Sequence, residues 1–279
     1  MSDPLLEVVR AGLRTYDLSR PFEIGMPQSP NHPAYWHSLP RRHGDKVRED
    51  GGSAANDIIV MGTHVGTHID ALAHVSQDGE LHGGVDAAEL QVGGRFSTHG
   101  IDQVEPGLSR ALLLDVPATL GLGACEPAYE ITEEDLDRTV ERQGVAPEPG
   151  DVLLVRSGWG RRWSEGEAYI GEDTGVPGVG EAGARWLASH GPRAVGADTI
   201  AFEHLAAGKG HAVLPAHRVL LVEEGINIIE TMNLEVIAAD SVHEFVLALM
   251  PLPLVGATGA PVRPLALVAG LNDAGGHHV

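Results

Sequence analysis

The chain has 279 residues, 39 acidic against 19 basic side chains for a formal charge of −20, and one cysteine, Cys125. That charge repels phosphate backbones and anionic headgroups, which sets nucleic acid and membrane surfaces aside as partners. A lone cysteine excludes an internal disulfide and a thiolate zinc cage, so any metal must be held by nitrogen and oxygen. No run approaches the apolar length of a membrane span, and the opening residues, with Asp3 and Glu7, do not read as a secretory signal. The expectation is a cytoplasmic protein forming one domain over residues 1–279.

Taken in order, DPLLEVVRAGL predicts a short helix, and the Pro-rich RPFEIGMPQSPNHPAYWHSLP that follows is extended and lies over another part of the chain, because proline fixes φ and lacks a donor. SAANDIIVMGTH predicts a strand leading into a histidine-rich motif. RALLLDV and DVLLVRSG read as buried strands. Between them ITEEDLDRTVERQG is a helix with Thr132 at its N-cap, carboxylates in its first turn and Gly144 at its end. GEAGARWLASHG is a second helix, stopped by Gly191-Pro192, and AVGAD a short strand. PAHRVLLVEEG then reads as a helix feeding the strand INIIE, and EFVLALMPL and VRPLALV supply the last strands. The class is α/β with a mixed sheet. No nucleotide-binding glycine motif follows a strand.

The motif itself is 63-THVGTHIDALAH-74. It sets His64, His68, Asp70 and His74 in the pattern H-x3-H-x-D-x3-H, which arises by chance about 0.003 times in a chain of this composition. On one straight strand its ends would lie about 33 Å apart. In one helix the pair His64 and His68 would face away from the pair Asp70 and His74. A bend is required, and Gly66 among the β-branched Val65, Thr67 and Ile69 predicts a strand end turning through a glycine-permitted loop, with a helical turn over ALAHV. The bend lets two imidazoles and a carboxylate converge with positions left open for water and substrate. Such donors suit zinc, manganese or ferrous iron.

These residues carry HxGTHxDxxxH in full and resemble the metal-dependent cyclase/hydrolase family that includes bacterial kynurenine formamidase and isatin hydrolase. The resemblance extends more weakly over YDLSRPFEIGMP, VLLVRSGW, VGADT, HRVLLVEEGINIIETMNL and GATGAPVRPLAL. It implies a swivelling β/β/α-type single domain, assembled as a homodimer or higher homo-oligomer. It also implies that His64, His68 and Asp70 bind the catalytic metal, with His74 as proton acceptor or donor. His217 and Glu230 look like the residues that hold a second ion beside the shared Asp70. The expected cofactor is Mn2+ or Zn2+, as one or two ions.

A metal so placed would activate water at neutral pH and polarise a carbonyl, His74 would take and return a proton, and Glu230 would hold a second ion or orient the water. The expected reaction is hydrolysis of an amide-type bond in a small molecule. Formamidases of the family place a Trp before a Pro-Gly pair where this chain reads Gln28-Ser29-Pro30-Asn31, which puts ring opening of an isatin-like lactam ahead of N-formylkynurenine hydrolysis. A lactone hydrolase, a metal-dependent lyase or dehydratase, and a non-catalytic metal-binding protein are the alternatives. Tyr35 and Trp36 are candidates to stack a flat substrate, and His211 to face it. His82 reads as an exposed turn residue, Asp198-Thr199 as a strand-end cap or a support for the site, Cys125 as an inert thiol, and His277-His278 as a tail.

Overall fold

RALLLDV and DVLLVRSG lack the alternation of a strand with one wet face, and the position of both strands explains it. The computed structural model describes residues 3–270, so His277 and His278 lie outside the described residues. Its longer strands are β1 (Leu13–Asp17), β2 (Trp36–Arg41), β3 (Asn56–Val60), β4 (His68–Asp70), β5 (Gly107–Asp115), β6 (Val152–Arg156), β7 (Ala194–Ala197), β8 (Asn227–Glu230), β9 (Glu244–Leu249), β10 (Gly259–Pro261) and β11 (Leu265–Ala269). Nine of them form one mixed sheet in the order β1-β11-β9-β5-β6-β7-β8-β4-β10. Strands β5 to β8 run parallel, and antiparallel strands flank them on both sides.

Central strands are covered on both faces, and parallel strands so placed are apolar throughout. Leu112 and Leu114 of β5, with Leu153 and Val155 of β6, pack on one face with Leu136, Leu187 and Val219 from helical segments. Ala111, Leu113, Val152 and Leu154 point to the other face. There Tyr16 of β1 and Ala266 of β11 share one cluster with Ile69 of β4 and Ala260 of β10, although these strands lie at opposite ends of the sheet. The sheet therefore curls over its own core while helices cover its outside, which is the mixed α/β class expected.

Helix α1 (Pro4–Ala11) is capped by Asp3 and exposed along its length. Helix α2 (Glu133–Gln143) carries the predicted capping box: Thr132 Oγ1 accepts from the Asp135 N–H, the Asp135 carboxylate accepts from the Thr132 N–H, and Gly144 ends the helix at φ 65°. Helix α3 (Glu181–Ser189) packs beside it. Of the helix expected over residues 215–225, 215–223 are helical, but only Pro215–His217 is α-helix and Arg218–Glu223 is π-helix. Widened turns of this kind concentrate at functional sites.

Two expectations need correction. SAANDIIVMGTH is strand only over Asn56–Val60, and it pairs with β2 in a separate two-stranded ribbon rather than leading straight into the motif. Two strands without a third layer bury neither face, and Trp36, Ile58, Ile59 and Val60 are half exposed there. The residues ALAHV form a tight turn, closed by the His74 N–H on the Ala71 carbonyl at 2.9 Å, instead of a helical turn. Among the described residues no helix is long and apolar enough to cross a membrane.

Candidate metal centre

Register, more than local conformation, assembles the centre. Strand β4 lies between β8 and β10, and antiparallel pairing sets His68 opposite Glu230. Directly opposed residues share a face, and so do residues two apart on one strand, so His68, Asp70 and Glu230 all project to one side while Ile69 enters the core. Gly259 stands opposite Asp70, where a Cβ would come within 2.6 Å of the His64 ring. Gly66 lies at φ 62°, and a Cβ there would meet Phe22 at 2.7 Å. The Pro-rich segment thus does lie over something, namely the motif. It is fastened there by Thr67 Oγ1, which accepts from the Arg20 N–H at 2.8 Å and donates to the Thr231 carbonyl at 2.8 Å.

All six residues proposed from the sequence for metal and proton chemistry meet around Asp70, which is fully buried. His64 Nδ1 lies 2.6 Å and His68 Nε2 3.4 Å from Asp70 Oδ1, and His217 Nε2 is 3.7 Å from Asp70 Oδ2. Glu230 bridges the far side, with Oε2 at 3.4 Å from His68 Nε2 and Oε1 at 3.1 Å from His217 Nε2. The turn after Asp70 folds His74 back so that its ring stacks on His64, centroids 3.7 Å apart and planes at 19°. Two compact donor sets result, His64/Asp70/His74 and His68/Asp70/Glu230.

The tautomers follow from the outer partners. A carbonyl only accepts, so His68 Nδ1 donates to the Gly66 carbonyl at 2.8 Å and turns Nε2 inward. His217 Nδ1 donates to Glu203 Oε1 at 2.5 Å, and Glu203 also accepts from the Ala216 and His217 N–H groups. Burial lowers the pKa of His68, but the Asp70 and Glu230 carboxylates, each 3.4 Å from its Nε2, outweigh it and hold that pKa at about 10. Burial raises Glu230 and the Asp70 charge raises it further, yet His217 and His68 bring it down to about 2. Asp70 is likewise held well below the usual carboxylate range, its burial overcome by the surrounding imidazoles. His74 behaves oppositely: burial, reinforced by His64 and His217, pushes it down to about 3 and keeps it neutral.

These donors fit a divalent ion. His68 Nε2 and Asp70 Oδ2 are buried without any hydrogen-bond partner, an arrangement that costs free energy unless something else satisfies both atoms. Ligands about 2.1 Å from one tetrahedral ion stand roughly 3.4 Å from each other. The separations of 3.1 to 3.7 Å around His68, Asp70, Glu230 and His217 match that spacing. All donor atoms are nitrogen or oxygen, as the single buried cysteine requires; burial raises the Cys125 thiol to about 12 and leaves it inert.

Residues 16–204 match the family described as "Putative cyclase". The chain belongs to the cyclase family. It is 27% identical over 216 residues to a kynurenine formamidase of Geobacillus thermodenitrificans, covering 77% of this chain and 81% of that one. It is 25% identical over 243 residues to an isatin hydrolase of Roseibium aggregatum, covering 85% and 84%. A crystal structure described as a novel cyclase superposes with a TM-score of 0.82 at 28% identity, over 95% of this chain and 93% of that one. The motif from His64 to His74 lies inside the matched cyclase region, whereas His211, His217 and Glu230 lie beyond it.

In this cyclase-family chain the other candidates separate clearly. His211 lines a cavity with Pro30, Asn31 and Lys209 and lies within electrostatic reach of Glu230 and His217. Tyr35 packs against Phe22, one side chain removed from the motif. Trp36 is not brought to the site: strand alternation turns it the other way, and it is 49% exposed on the ribbon. His82 is half-buried rather than an exposed turn residue, donating from Nδ1 to the Val222 carbonyl. Asp198 is a structural cap that accepts from Ser157 and the Gly158 N–H.

Three participants were not visible in the sequence. His32 lies 5.3 Å from the His64 ring, Thr258 Oγ1 is 2.8 Å from His64 Nε2, and Glu203 holds His217. None has a spacing signal, since each arrives from a remote segment. Glu203→Gln keeps the shape but removes the charge facing His217. Metal affinity is expected to fall roughly 10- to 100-fold, read by metal titration against the unaltered protein.

Proposed function

We propose that this cyclase-family protein is a divalent-metal-dependent hydrolase that cleaves an amide-type carbon–nitrogen bond in a small molecule. The observation that carries the reading is the pair of buried, unpartnered ligand atoms, His68 Nε2 and Asp70 Oδ2, beside a neutral His74. His64, His68 and Asp70 would hold the ion, with His217 and Glu230 completing a second position around the shared Asp70. The donor set suits Mn2+ or Zn2+. A divalent ion there supplies Lewis acidity toward a carbonyl and a nucleophilic water at neutral pH.

The residues divide the remaining work. His74 is stacked face to face on His64, outside the four side chains whose 3.1 to 3.7 Å spacing fits one ion. That favours His74 as the proton carrier. An imidazole in that place can accept a proton from water and deliver it to the departing nitrogen. Glu203 and the Gly66 carbonyl fix the orientation of His217 and His68, so neither ring need reorganise during turnover.

Ring opening of an isatin-like lactam is the leading reaction. Aryl formamide hydrolysis is second, because Pro30 and Asn31 stand on the cavity wall in a segment without the formamidase Trp-Pro-Gly order. The test is elemental analysis of the purified protein combined with ultraviolet assays on isatin, N-formylkynurenine and simple lactones. Turnover of an amide that is lost with chelator and restored by Mn2+ or Zn2+ is expected. Protein that binds no metal and gains no turnover from added ions would overturn the reading.

A further inference from the structure

Among the described residues five buried side-chain nitrogen or oxygen atoms have no hydrogen-bond partner. Two of them, His68 Nε2 and Asp70 Oδ2, belong to the metal centre, and two more, His99 Nδ1 and Arg193 Nη2, belong to residues that line one other cavity. That cavity has a volume of about 480 Å³, a size that accepts a small organic molecule. Leu72, Val104, Glu105 and Asn227 also stand in its walls.

Both unpartnered groups are held in place by the fold. Gln103 Oε1 accepts from the His99 N–H and from Thr98 Oγ1, each at 3.1 Å, so the loop is fixed before any ligand arrives. His99 keeps φ 62°, a backbone conformation that costs most residues other than glycine free energy and persists only where the surroundings impose it. Its Nε2 donates to the His82 carbonyl at 3.0 Å, so in the neutral ring Nδ1 is left as an acceptor. Arg193, just ahead of β7, donates from Nη1 to Ser109 Oγ at 3.0 Å and forms no ion pair among the described residues. A carboxylate oxygen would satisfy Arg193 Nη2, and a hydroxyl or N–H would satisfy His99 Nδ1. Glu105 opposes an anion, but its side chain is exposed, where water weakens the repulsion.

The cavity adjoins the histidine motif without sharing its ligands. Leu72 follows Asp70 by two residues, Asn227 Nδ2 donates to the Asp70 carbonyl at 2.8 Å, and the His99 carbonyl accepts the Ala73 N–H at 3.0 Å. Strand β8 runs from Asn227 at the cavity to Glu230 at the centre. None of the six side chains gathered around Asp70 lines the cavity, so a molecule there leaves every coordinating atom free.

We propose that this cavity is a second ligand site, which takes a small carboxylic acid bearing a hydroxyl or amino group, held by Arg193 through its carboxylate and by His99 through that donor. The site is a binding property of the fold and stands whether or not the centre hydrolyses amides.

The test is calorimetric binding of mandelate, mandelamide and phenylacetate to the protein as purified and again after treatment with chelator. Mandelate offers both groups, mandelamide lacks the charge, and phenylacetate lacks the hydroxyl. Mandelate is expected to bind roughly 10-fold tighter than mandelamide and roughly 5-fold tighter than phenylacetate, the sizes of one charged and one neutral hydrogen bond. Arg193→Met should remove the first preference and His99→Phe the second, while both preferences survive chelation in the unaltered protein. Preferences that vanish with the ion, or that persist in both variants, put mandelate elsewhere and overturn the proposal, as does the absence of either preference in the unaltered protein. The three probes on chelated, unaltered protein decide the matter even if a variant fails to fold.

Discussion

Asp70→Asn should yield a folded protein that retains almost no metal and has lost turnover. Asp70 is the one side chain common to both donor sets, with His64, His68 and His217 gathered about its two oxygens. Replacing a partner outside the ligand shell already costs about 10- to 100-fold in metal affinity, so loss of the shared carboxylate should exceed that, with turnover down by at least ~10³. Asparagine preserves volume and one oxygen, so the circular dichroism spectrum should not change while elemental analysis shows the loss. Stoichiometric metal in the variant would mean that Asp70 is not the hub of the centre.

His74→Ala tests the other half of the division of labour. The ring stacks on His64 but has no hydrogen-bonded carboxylate of its own, and burial keeps it uncharged near neutral pH. The variant should bind metal as the unaltered protein does and lose about 10²- to 10⁴-fold in kcat, the usual contribution of a positioned proton carrier. Added imidazole should restore part of the rate. Loss of metal in His74→Ala with the rate per bound ion unchanged would make His74 a ligand instead.

Much of the centre was legible because local sequence dictates it. The spacing of His64, His68, Asp70 and His74 requires a bend, Gly66 permits one, and alternation on β4 places His68 and Asp70 on one face whatever the rest of the chain does. The buried parallel strands were legible for a similar reason: Leu112–Leu114 and Leu153–Val155 carry no polar face to leave in water. The errors fell where periodicity is short or ambiguous. SAANDIIVMGTH contains strand-forming residues, yet whether such a run joins the main sheet or a two-stranded ribbon depends on which partner it meets, and that partner, Trp36–Arg41, came from a Pro-rich segment read as extended but not as a strand.

From its own residues, then, the chain determines a bent motif of nitrogen and oxygen donors, a sheet with a dry centre, and an acidic surface unsuited to phosphate. Only the tertiary structure decides what completes the centre. Glu230 faces His68 through antiparallel register across 162 residues of sequence, Glu203 reaches His217 from a buried bridge with Val179, and His32 descends from the covering segment. Such contacts between remote segments leave no periodic trace in sequence, because their free energy is realised only when the curled sheet brings those segments together.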